Sequence, residues 1–240
     1  MMVKKIFVLL IISSQLILSL KSQDYQNTKF GIKQKFGNLY IEIQFYNLST
    51  VRIIKYPADL TLKKKSLSVI AEPELTSYTI TQENNNLILK SKNIRVYLNL
   101  LTGCISFYDN KNNLLLREKE NSTYFINFND AGRKSYTVSQ SFLLDGEEAI
   151  YGLGQQQQGK MIQRNIKLKM IQGNTDDYIP FFISIKGYGL FWDNYSPTIF
   201  YDTINETFFK SEVGDCIDYY FMYGKNADGV ISQMRFLTGS

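Results

Sequence analysis

The sequence predicts an all-β fold, a β-sandwich of short antiparallel strands that ends in one C-terminal helix. Apolar and polar residues alternate in short runs, and clusters of Asn, Gly and Asp separate the runs at spacings of roughly 8–12 residues. The chain is also rich in strand-forming aromatics, with 17 Tyr and 16 Phe. Antiparallel segments of this number and spacing are typical of two stacked sheets.

The first 22 residues differ from the rest of the chain and predict a secretory signal peptide. Lys4 and Lys5 form a basic start, residues 6–12 are apolar throughout, and Ser22 offers a cleavage point. An uncleaved membrane anchor is the alternative. Polar residues interrupt the apolar run, however, and leave it short for a bilayer of about 30 Å. We expect a secreted or periplasmic protein with no membrane segment after cleavage.

Residues 23–225 carry the strand pattern and form the predicted N-terminal sandwich domain. In Leu39–Tyr46, apolar residues alternate with Glu42 and Gln44, which predicts a strand with one face in a core and one in water. Clusters of residues that tolerate a left-handed backbone predict the hairpin turns. These clusters are Asn84–Asn86, Asp109–Asn113 and Asn129–Gly132.

Residues 226–240 predict one amphipathic helix and a junction. Asn226 can cap the helix and Asp228 lies in its first turn. An apolar face recurs before Gly239 and needs a surface to lie on, either this sandwich or a following domain. The residues of that face are Val230, Ile231, Met234 and Leu237.

The composition excludes several classes of function. The chain has no histidine, which removes Ser-His-Asp and Cys-His catalysis together with histidine metal sites. Its net charge of +5 falls to 5 − 3 = +2 without the three lysines of the first 22 residues, which is too small and too scattered to predict a nucleic-acid partner. The two cysteines, Cys104 and Cys216, form no zinc motif, so neither a metal nor a cofactor is predicted. They can form a disulfide or stay as two buried thiols, and their apolar surroundings favour thiols.

Paired carboxylates are the remaining candidates for catalysis. Adjacent residues on an extended chain point to opposite faces. The two carboxylates of Glu147-Glu148, or of Asp176-Asp177, are therefore not expected to face the same glycosidic bond. The third pair is interpreted as polar residues at a strand edge, and no catalytic residue is predicted. The pairs are Glu147-Glu148, Asp176-Asp177 and Asp215 with Asp218.

Two loops stand out along the second half of the chain. Tyr151–Gly154 contains two glycines, but the next glycine comes only at Gly159, behind four glutamines, and no helix pattern follows. A tight turn or a close strand approach is therefore favoured over a dinucleotide-binding loop. The second loop, Asn174-Thr175-Asp176-Asp177, is either an Asx-type turn, which its composition favours, or a ligand-binding loop.

The second half of the chain resembles the N-terminal region of glycoside hydrolase family 31, and particularly its bacterial α-xylosidase branch. The matching motifs come in the family's order over about residues 148–239, whereas residues 28–120 match only loosely. The motifs are Tyr151–Gln155, Asn174–Asp176, Ile179–Ser184, Lys186–Ser196, Ser211–Asp215, Ile217–Gly224 and Arg235–Gly239.

This resemblance implies a galactose-mutarotase-like β-sandwich that packs beside a (β/α)8 barrel in a retaining exo-α-glycosidase. Both catalytic aspartates of the family lie in the barrel, and we expect this chain to stop before it, so that the rest of the same polypeptide supplies the barrel. The resemblance further implies that an aspartate of the sandwich binds hydroxyls of the terminal sugar. By motif this residue is Asp176, with Asp177 or Thr175 as alternatives in the loop that begins at Asn174.

The expected partner is therefore an α-linked oligosaccharide of the xyloglucan or maltose type. Aromatic side chains near the loop are candidates for a sugar-binding rim, although core packing is the favoured interpretation for each of them. They are Tyr178, Tyr188, Trp192 and Tyr195. The alternative function is a free-standing carbohydrate-binding or envelope module that holds a glycan without cleaving it.

Overall fold

Two antiparallel sheets build the protein, whose computed structural model describes residues 25–239. The predicted signal peptide and Ser240 lie outside the described residues. Within the described range the chain forms 18 strands and one helix. Their bounds are β1 Tyr25–Thr28, β2 Gly31–Phe36, β3 Leu39–Phe45, β4 Thr50–Pro57, β5 Thr79–Glu83, β6 Asn86–Lys90, β7 Ile94–Asn99, β8 Ile105–Asp109, β9 Leu114–Glu118, β10 Tyr124–Asp130, β11 Arg133–Leu143, β12 Ile150–Gly152, β13 Lys167–Met170, β14 Phe181–Ser184, β15 Tyr188–Trp192, β16 Thr198–Asp202, β17 Thr207–Gly214, β18 Ile217–Tyr223 and α1 Ala227–Thr238.

The first sheet has eight strands in the order β1-β2-β3-β4-β18-β15-β14-β12. The second has ten, in the order β13-β16-β17-β11-β9-β8-β7-β6-β5, with β10 paired to β11 beside this path. Every strand pair is antiparallel, and the predicted all-β sandwich is confirmed. Because β4 and β18 are neighbours although they lie far apart in the chain, the first sheet joins both ends of the sequence.

The core lies between the inward faces of the two sheets. Ile41, Ile43 and Phe45 are buried on alternate positions of β3, as their spacing predicts. Phe107 on β8 stacks on Phe221 on β18 with ring centroids 4.1 Å apart, so aromatic side chains from the two sheets meet directly. Each such fully buried side chain contributes about 1.5–3 kcal/mol of hydrophobic free energy.

The C-terminal helix begins and ends where its sequence predicts. Asn226 accepts a hydrogen bond from the backbone N–H of Gly229 (2.9 Å), and Gly239 caps the other end with a positive φ of 86°. Val230 and Leu237 are buried against the outer face of the first sheet, whereas Ile231 is 42% exposed. The sandwich itself therefore covers the apolar face of the helix, although the buried stripe is narrower than predicted.

The predicted turn clusters join adjacent strands. Asn84 lies between β5 and β6, Asn112 between β8 and β9, and the pair Ala131–Gly132 between β10 and β11. All four residues have positive φ values, the conformation that such turns require. Hairpins of this kind make most of the strand pairs local in sequence.

Both cysteines are thiols in the structure, which resolves the alternative that the sequence left open. Cys216 is buried and Cys104 is partly buried. Burial raises the pKa of Cys216 to about 12, so its thiol stays protonated at neutral pH. Separately, α1, the one helix in residues 25–239, lacks the length and apolar character needed to cross a membrane.

Candidate functional site

A hairpin-like excursion, residues 153–179, carries the predicted sugar-binding residues. It leaves the first sheet after β12, includes β13 of the second sheet, and returns before β14. Its two arms join at an antiparallel bridge, in which Gln155 N donates to the Asp177 carbonyl (2.7 Å) and Asp177 N donates to the Gln155 carbonyl (2.9 Å). The bridge therefore holds Asp177 beside Gln155, three residues after the end of β12.

Gly154 allows the two arms of the excursion to approach each other. Its φ is +94°, and a Cβ at this position would lie 1.9 Å from the carbonyl oxygen of Asp177. No other residue type fits that gap. The interpretation of this glycine as a site of close strand approach is confirmed, and no helix follows it as a dinucleotide-binding loop would require.

The turn next to this bridge, residues 173–177, holds Asp176 through backbone N–H groups. Gly173 N donates to the Asp176 carbonyl (3.2 Å), and Gln157 N donates to Asp176 Oδ1 (3.1 Å). Asp176 is partly buried, whereas Asn174, Thr175 and Asp177 are exposed. The geometry therefore distinguishes Asp176 from its three neighbours, while its role in sugar binding stays a prediction.

Gln172 is a residue of this loop that sequence reasoning missed. Its side-chain Nε2 donates to the Tyr178 carbonyl (2.9 Å), and its Oε1 accepts from Tyr178 N (2.7 Å). With these two hydrogen bonds, the Gln172 side chain connects the two ends of the 173–177 turn. No sequence signal marks this contact, because an isolated glutamine in a loop has no preferred partner.

A cavity of about 600 Å³ lies next to this loop. Tyr178 and Tyr195 border it from two sides, and Tyr195 is 61% exposed. Desolvation and, after it, the negative charge of nearby Asp176 raise the pKa of Tyr178. None of the residues 174–177 lines the cavity, so the predicted residues lie beside it. Its wall also contains Gln172, Ile179, Pro180, Trp192, Asp193 and, from α1, Met234 and Thr238.

The four candidate rim aromatics separate into two groups. Tyr178 and Tyr195 face the cavity, in agreement with the rim hypothesis. Tyr188 and Trp192 are fully buried, and Trp192 donates from Nε1 to Ser211 Oγ (2.8 Å). Tyr188 is bonded to the Glu148 carboxylate instead. The core interpretation is therefore right for these two, which lie in fully buried β15.

A buried cluster of charged residues lies below the cavity, and it corrects the sequence-based interpretation of Asp218. That residue was predicted as a polar strand-edge residue, but it is 1% exposed. Arg52 binds it with two hydrogen bonds (2.9 and 2.7 Å), and Lys64 Nζ lies 2.8 Å away. Burial alone would raise the pKa of Asp218, but the charges of Lys64 and Arg52 lower it below its usual value.

Asp193 joins this cluster from the cavity wall. Lys64 Nζ lies 3.5 Å from Asp193 Oδ2, an atom with no hydrogen-bond partner among the described residues. Burial first, and then the charge of Asp218, raise the pKa of Asp193. The cavity thus has aromatic sides and a buried carboxylate with unused acceptor capacity at its wall.

The other carboxylate pairs do not converge on the cavity. Glu147 is exposed while Glu148 is buried against Ser184 and Tyr188, so the two point to different environments as expected. Asp215 binds Arg133 at the surface. Within residues 25–239, His, Cys, Asp and Glu side chains form no group of three that could hold a metal ion.

A family model described as the glycosyl hydrolase 31 N-terminal galactose mutarotase-like domain matches residues 40–200 of this chain. The chain belongs to glycoside hydrolase family 31. This confirms the resemblance carried by the motifs of the second half, and it extends into the first half, where the motifs match only loosely. The family 31 domain is the galactose-mutarotase-like sandwich described above.

Three known proteins illustrate the relationship. The domain is 34% identical over 217 residues to an α-xylosidase of Saccharolobus solfataricus. The aligned region covers 85% of this chain and 29% of the relative. It is 26% identical over 216 residues to α-glucosidase 2 of Bacillus thermoamyloliquefaciens, covering 83% of this chain and 26% of the relative. A family 31 α-xylosidase from a soil metagenome, solved with xylose, has the same fold, with a TM-score of 0.81 at 19% identity over 90% of this chain and 34% of that chain.

These relatives are glycosidases, that is, hydrolases. The chain spans about a third or less of the length of each of the three.

Proposed function

We propose that this domain forms one wall of the substrate pocket in an α-glycosidase that hydrolyses terminal α-linked sugars, of the α-xylosidase type. The observation that carries the proposal is the position of Asp176, which two backbone N–H groups hold in the 173–177 turn, next to the Gln155–Asp177 bridge and beside the 600 Å³ cavity. A carboxylate fixed in this way suits the vicinal hydroxyls of a terminal sugar.

The chemistry of Asp176 supports this role. An ionised carboxylate has about four lone-pair sites, and the bond from Gln157 N uses one of them, so Asp176 can accept further hydrogen bonds from a sugar. Tyr178 lies next to it, and its ring offers an apolar surface for the C–H groups of the same sugar. The loop is anchored on both sides, by the Gln155–Asp177 bridge and by Gln172, so little ordering is needed on binding.

The catalytic step belongs to another part of the polypeptide in this proposal. A retaining glycosidase needs two carboxyl groups about 5–5.5 Å apart across the scissile bond. The buried carboxylates near the cavity are neutralised by cations, as Asp218 is by Arg52 and Lys64. We assign the nucleophile and the acid/base to a following (β/α)8 barrel, and the domain alone is proposed to be inactive.

We also propose that the protein is secreted or periplasmic, because residues 1–22 have the three parts of a signal peptide. N-terminal sequencing of the exported protein tests this, with a new terminus at or near Gln23 expected. A mature protein that keeps Met1 would contradict it.

The site is tested by Asp176→Ala in the complete enzyme, with Asp177→Ala as the matched control. Loss of a charged hydrogen bond to substrate costs about 1.5–3 kcal/mol, so kcat/KM for an aryl α-xyloside should fall by about tenfold to 150-fold. Asp177→Ala should change it less than about threefold, since the backbone of Asp177 makes the bridge. Equal effects of the two substitutions, or unchanged kinetics for Asp176→Ala, would reject the assignment.

The alternative, a free-standing carbohydrate-binding module, predicts a different result for the isolated chain. A half-pocket should bind sugar very weakly, whereas a binding module should bind xyloglucan oligosaccharides or maltose below millimolar concentrations. Calorimetry distinguishes them. Sub-millimolar binding that Asp176→Ala abolishes would favour the module over the enzyme domain.

A further inference from the structure

The outer face of the second sheet is a surface to which the proposed function assigns no role. Helix α1 packs on β18, β14 and β15, which all belong to the first sheet. Two depressions lie on the opposite side of the sandwich, on the outward side chains of β6 to β11 and β17. This surface is separate from the Asp176 loop and from the chain's C-terminal end.

The first depression has a volume of about 560 Å³ and a floor of tyrosine. Tyr97 on β7 and Tyr108 on β8 have ring centroids 4.6 Å apart and tilted by 52°. The Tyr97 hydroxyl donates to Asn112 Oδ1 (3.2 Å), an atom that Arg95 also binds, so the ring is held in place. Polar groups surround the rings, namely those of Asn86, Asn99, Thr102, Ser106 and Arg117.

The second depression has a volume of about 340 Å³ and exposes apolar side chains. Tyr124 and Ile126 on β10 are 53% and 55% exposed. Tyr124 pairs with Ser139 of β11, and Phe208 of β17 pairs with Ser141 of the same strand. Tyr124 and Phe208 therefore lie two strand spacings apart across the sheet and two residues apart along it, about 12 Å in all, with small serines between them. The result is a trough with a ring on each side.

The two depressions are adjacent, because Lys119 and Glu120 line both. We call this pair of depressions the outer-face groove. Its charges nearly cancel. Lys119 pairs with Glu206 at 3.1 Å, Glu118 is neutralised by Lys55 in the interior, and Glu120 balances one of the two remaining cations, Arg117 and Lys210. A polyanion would gain little from this surface, and a neutral ligand is favoured.

We propose that the outer-face groove binds a neutral oligosaccharide as a second carbohydrate site, remote from the Asp176 loop. The C–H faces of sugar rings would pack on Tyr97 and Tyr108 at one end and on Tyr124 and Phe208 at the other. The hydroxyl groups of the sugar would form hydrogen bonds with the Asn, Ser and Thr side chains that lie between these rings. The choice of sugar class rests on the proposed function, whereas the position of the site rests on the groove itself.

The test uses the 240-residue chain with maltoheptaose and a xyloglucan heptasaccharide as probes, measured by calorimetry. Each of Tyr97→Ala and Tyr124→Ala should weaken binding of at least one probe by about threefold to tenfold, and the double variant should lose it. Tyr40→Ala is the matched control, because Tyr40 is a partly buried tyrosine on the first sheet. Tyr97→Phe should bind almost as the original chain does, because it keeps the ring. Thermal unfolding confirms that each variant is folded.

Asp176→Ala separates this proposal from the proposed function, because it should leave groove binding unchanged. The proposal is overturned if neither probe binds at millimolar concentration or if the double variant binds like the original chain. It is also overturned if polygalacturonate, added as a polyanionic third probe, binds and the two neutral probes do not. It is also overturned if sedimentation shows that Tyr124→Ala abolishes a dimer of the chain instead of sugar binding, since the exposed β10 would then be an interface.

Discussion

At the scale of single residues, the buried carboxylates near the cavity are paired with cations. Asp218 lies at full burial between Arg52 and Lys64, and Asp193 shares the Lys64 charge from the cavity wall. A buried carboxylate with two cationic neighbours stays ionised and cannot act as a proton donor near neutral pH.

Replacing Asp218 by Asn should lower the free energy of unfolding by about 3–5 kcal/mol at pH 7, because it leaves two buried cations without their main counter-charge. The folded-state pKa of Asp218 is lowered, so its stabilisation is complete above its usual pKa and is lost as the pH falls through the folded-state value. The difference between the two proteins should therefore shrink below about pH 4. Urea unfolding, followed by fluorescence of the single tryptophan, Trp192, measures it.

Asp215→Asn is the control for this prediction. Asp215 pairs with Arg133, whose side chain is 68% exposed, and such surface pairs contribute about 0–1 kcal/mol. Similar losses for the two substitutions would show that burial of the Asp218 cluster does not matter. A loss at Asp218 that is constant from pH 7 to pH 3 would contradict the assigned pKa direction.

Among the elements, the 153–179 excursion and α1 show how local chemistry sets the geometry near the cavity. Gly154 permits contact between the two arms, and Gln172 closes the turn that carries Asp176. Helix α1 is fixed by its Asn226 cap and by burial of Val230 and Leu237, and it brings Thr238 to the cavity wall. The loop and the helix meet at one cavity because both lie against the first sheet.

Gly154→Ala should open the bridge between the arms, because its Cβ would meet the Asp177 carbonyl at 1.9 Å. Hydrogen exchange of the Gln155 and Asp177 amides should become at least about tenfold faster, which corresponds to about 1.4 kcal/mol of lost local stability. Gly159→Ala is a matched control, since Gly159 also has a positive φ (+64°) but no atom within 4 Å of the added Cβ. In Gly159→Ala, hydrogen exchange of the Gln155 and Asp177 amides should be unchanged. Equal acceleration in both variants would contradict the prediction, because it would attribute the faster exchange to the positive φ and not to the contact with Asp177.

For the molecule as a whole, a buried ion pair inside the sandwich links the two sheets. Lys55 on β4 of the first sheet binds Glu118 on β9 of the second at 2.6 Å, and both side chains are at most 1% exposed. Tyr219 of the first sheet donates to the same carboxylate (2.8 Å), and Gln140 of the second accepts from Lys55 (3.0 Å). These contacts specify how the sheets stack, beyond what apolar packing requires.

Lys55→Met should destabilise the fold by about 3–5 kcal/mol, because Glu118 is left as an uncompensated buried charge. Adding Glu118→Gln should recover at least about 1 kcal/mol, since the amide removes the charge but still accepts the bond from Ile105 N. Guanidinium unfolding measures all three proteins. Lys134→Met is the control, because its pair with Asp59 is exposed to solvent and its loss should leave the stability nearly unchanged. A double variant that is no more stable than Lys55→Met would contradict the role of the charge.

Much of the fold and part of the site can be predicted from the sequence, because these features depend on neighbours in the chain. Alternation in β3, the positive-φ turns at Asn84 and Asn112, and the Asn226 cap are local effects and are all confirmed. The Asp176 loop could be singled out from the sequence because its residues are contiguous, and its role in sugar binding stays a prediction. Gln172 was missed because its partner is set by how the loop closes.

The sequence by itself determined the all-β class, the closing helix and membership of glycoside hydrolase family 31, since these are carried by periodicity and by motifs in order. Only the tertiary structure decided which charges are buried together, which aromatics face solvent, and where the outer-face groove runs. The physical reason is sequence distance, because Arg52 and Asp218 are 166 positions apart and meet only when β4 pairs with β18. Alternation predicts which side of a strand faces a core, but strand pairing determines which side chains become neighbours there.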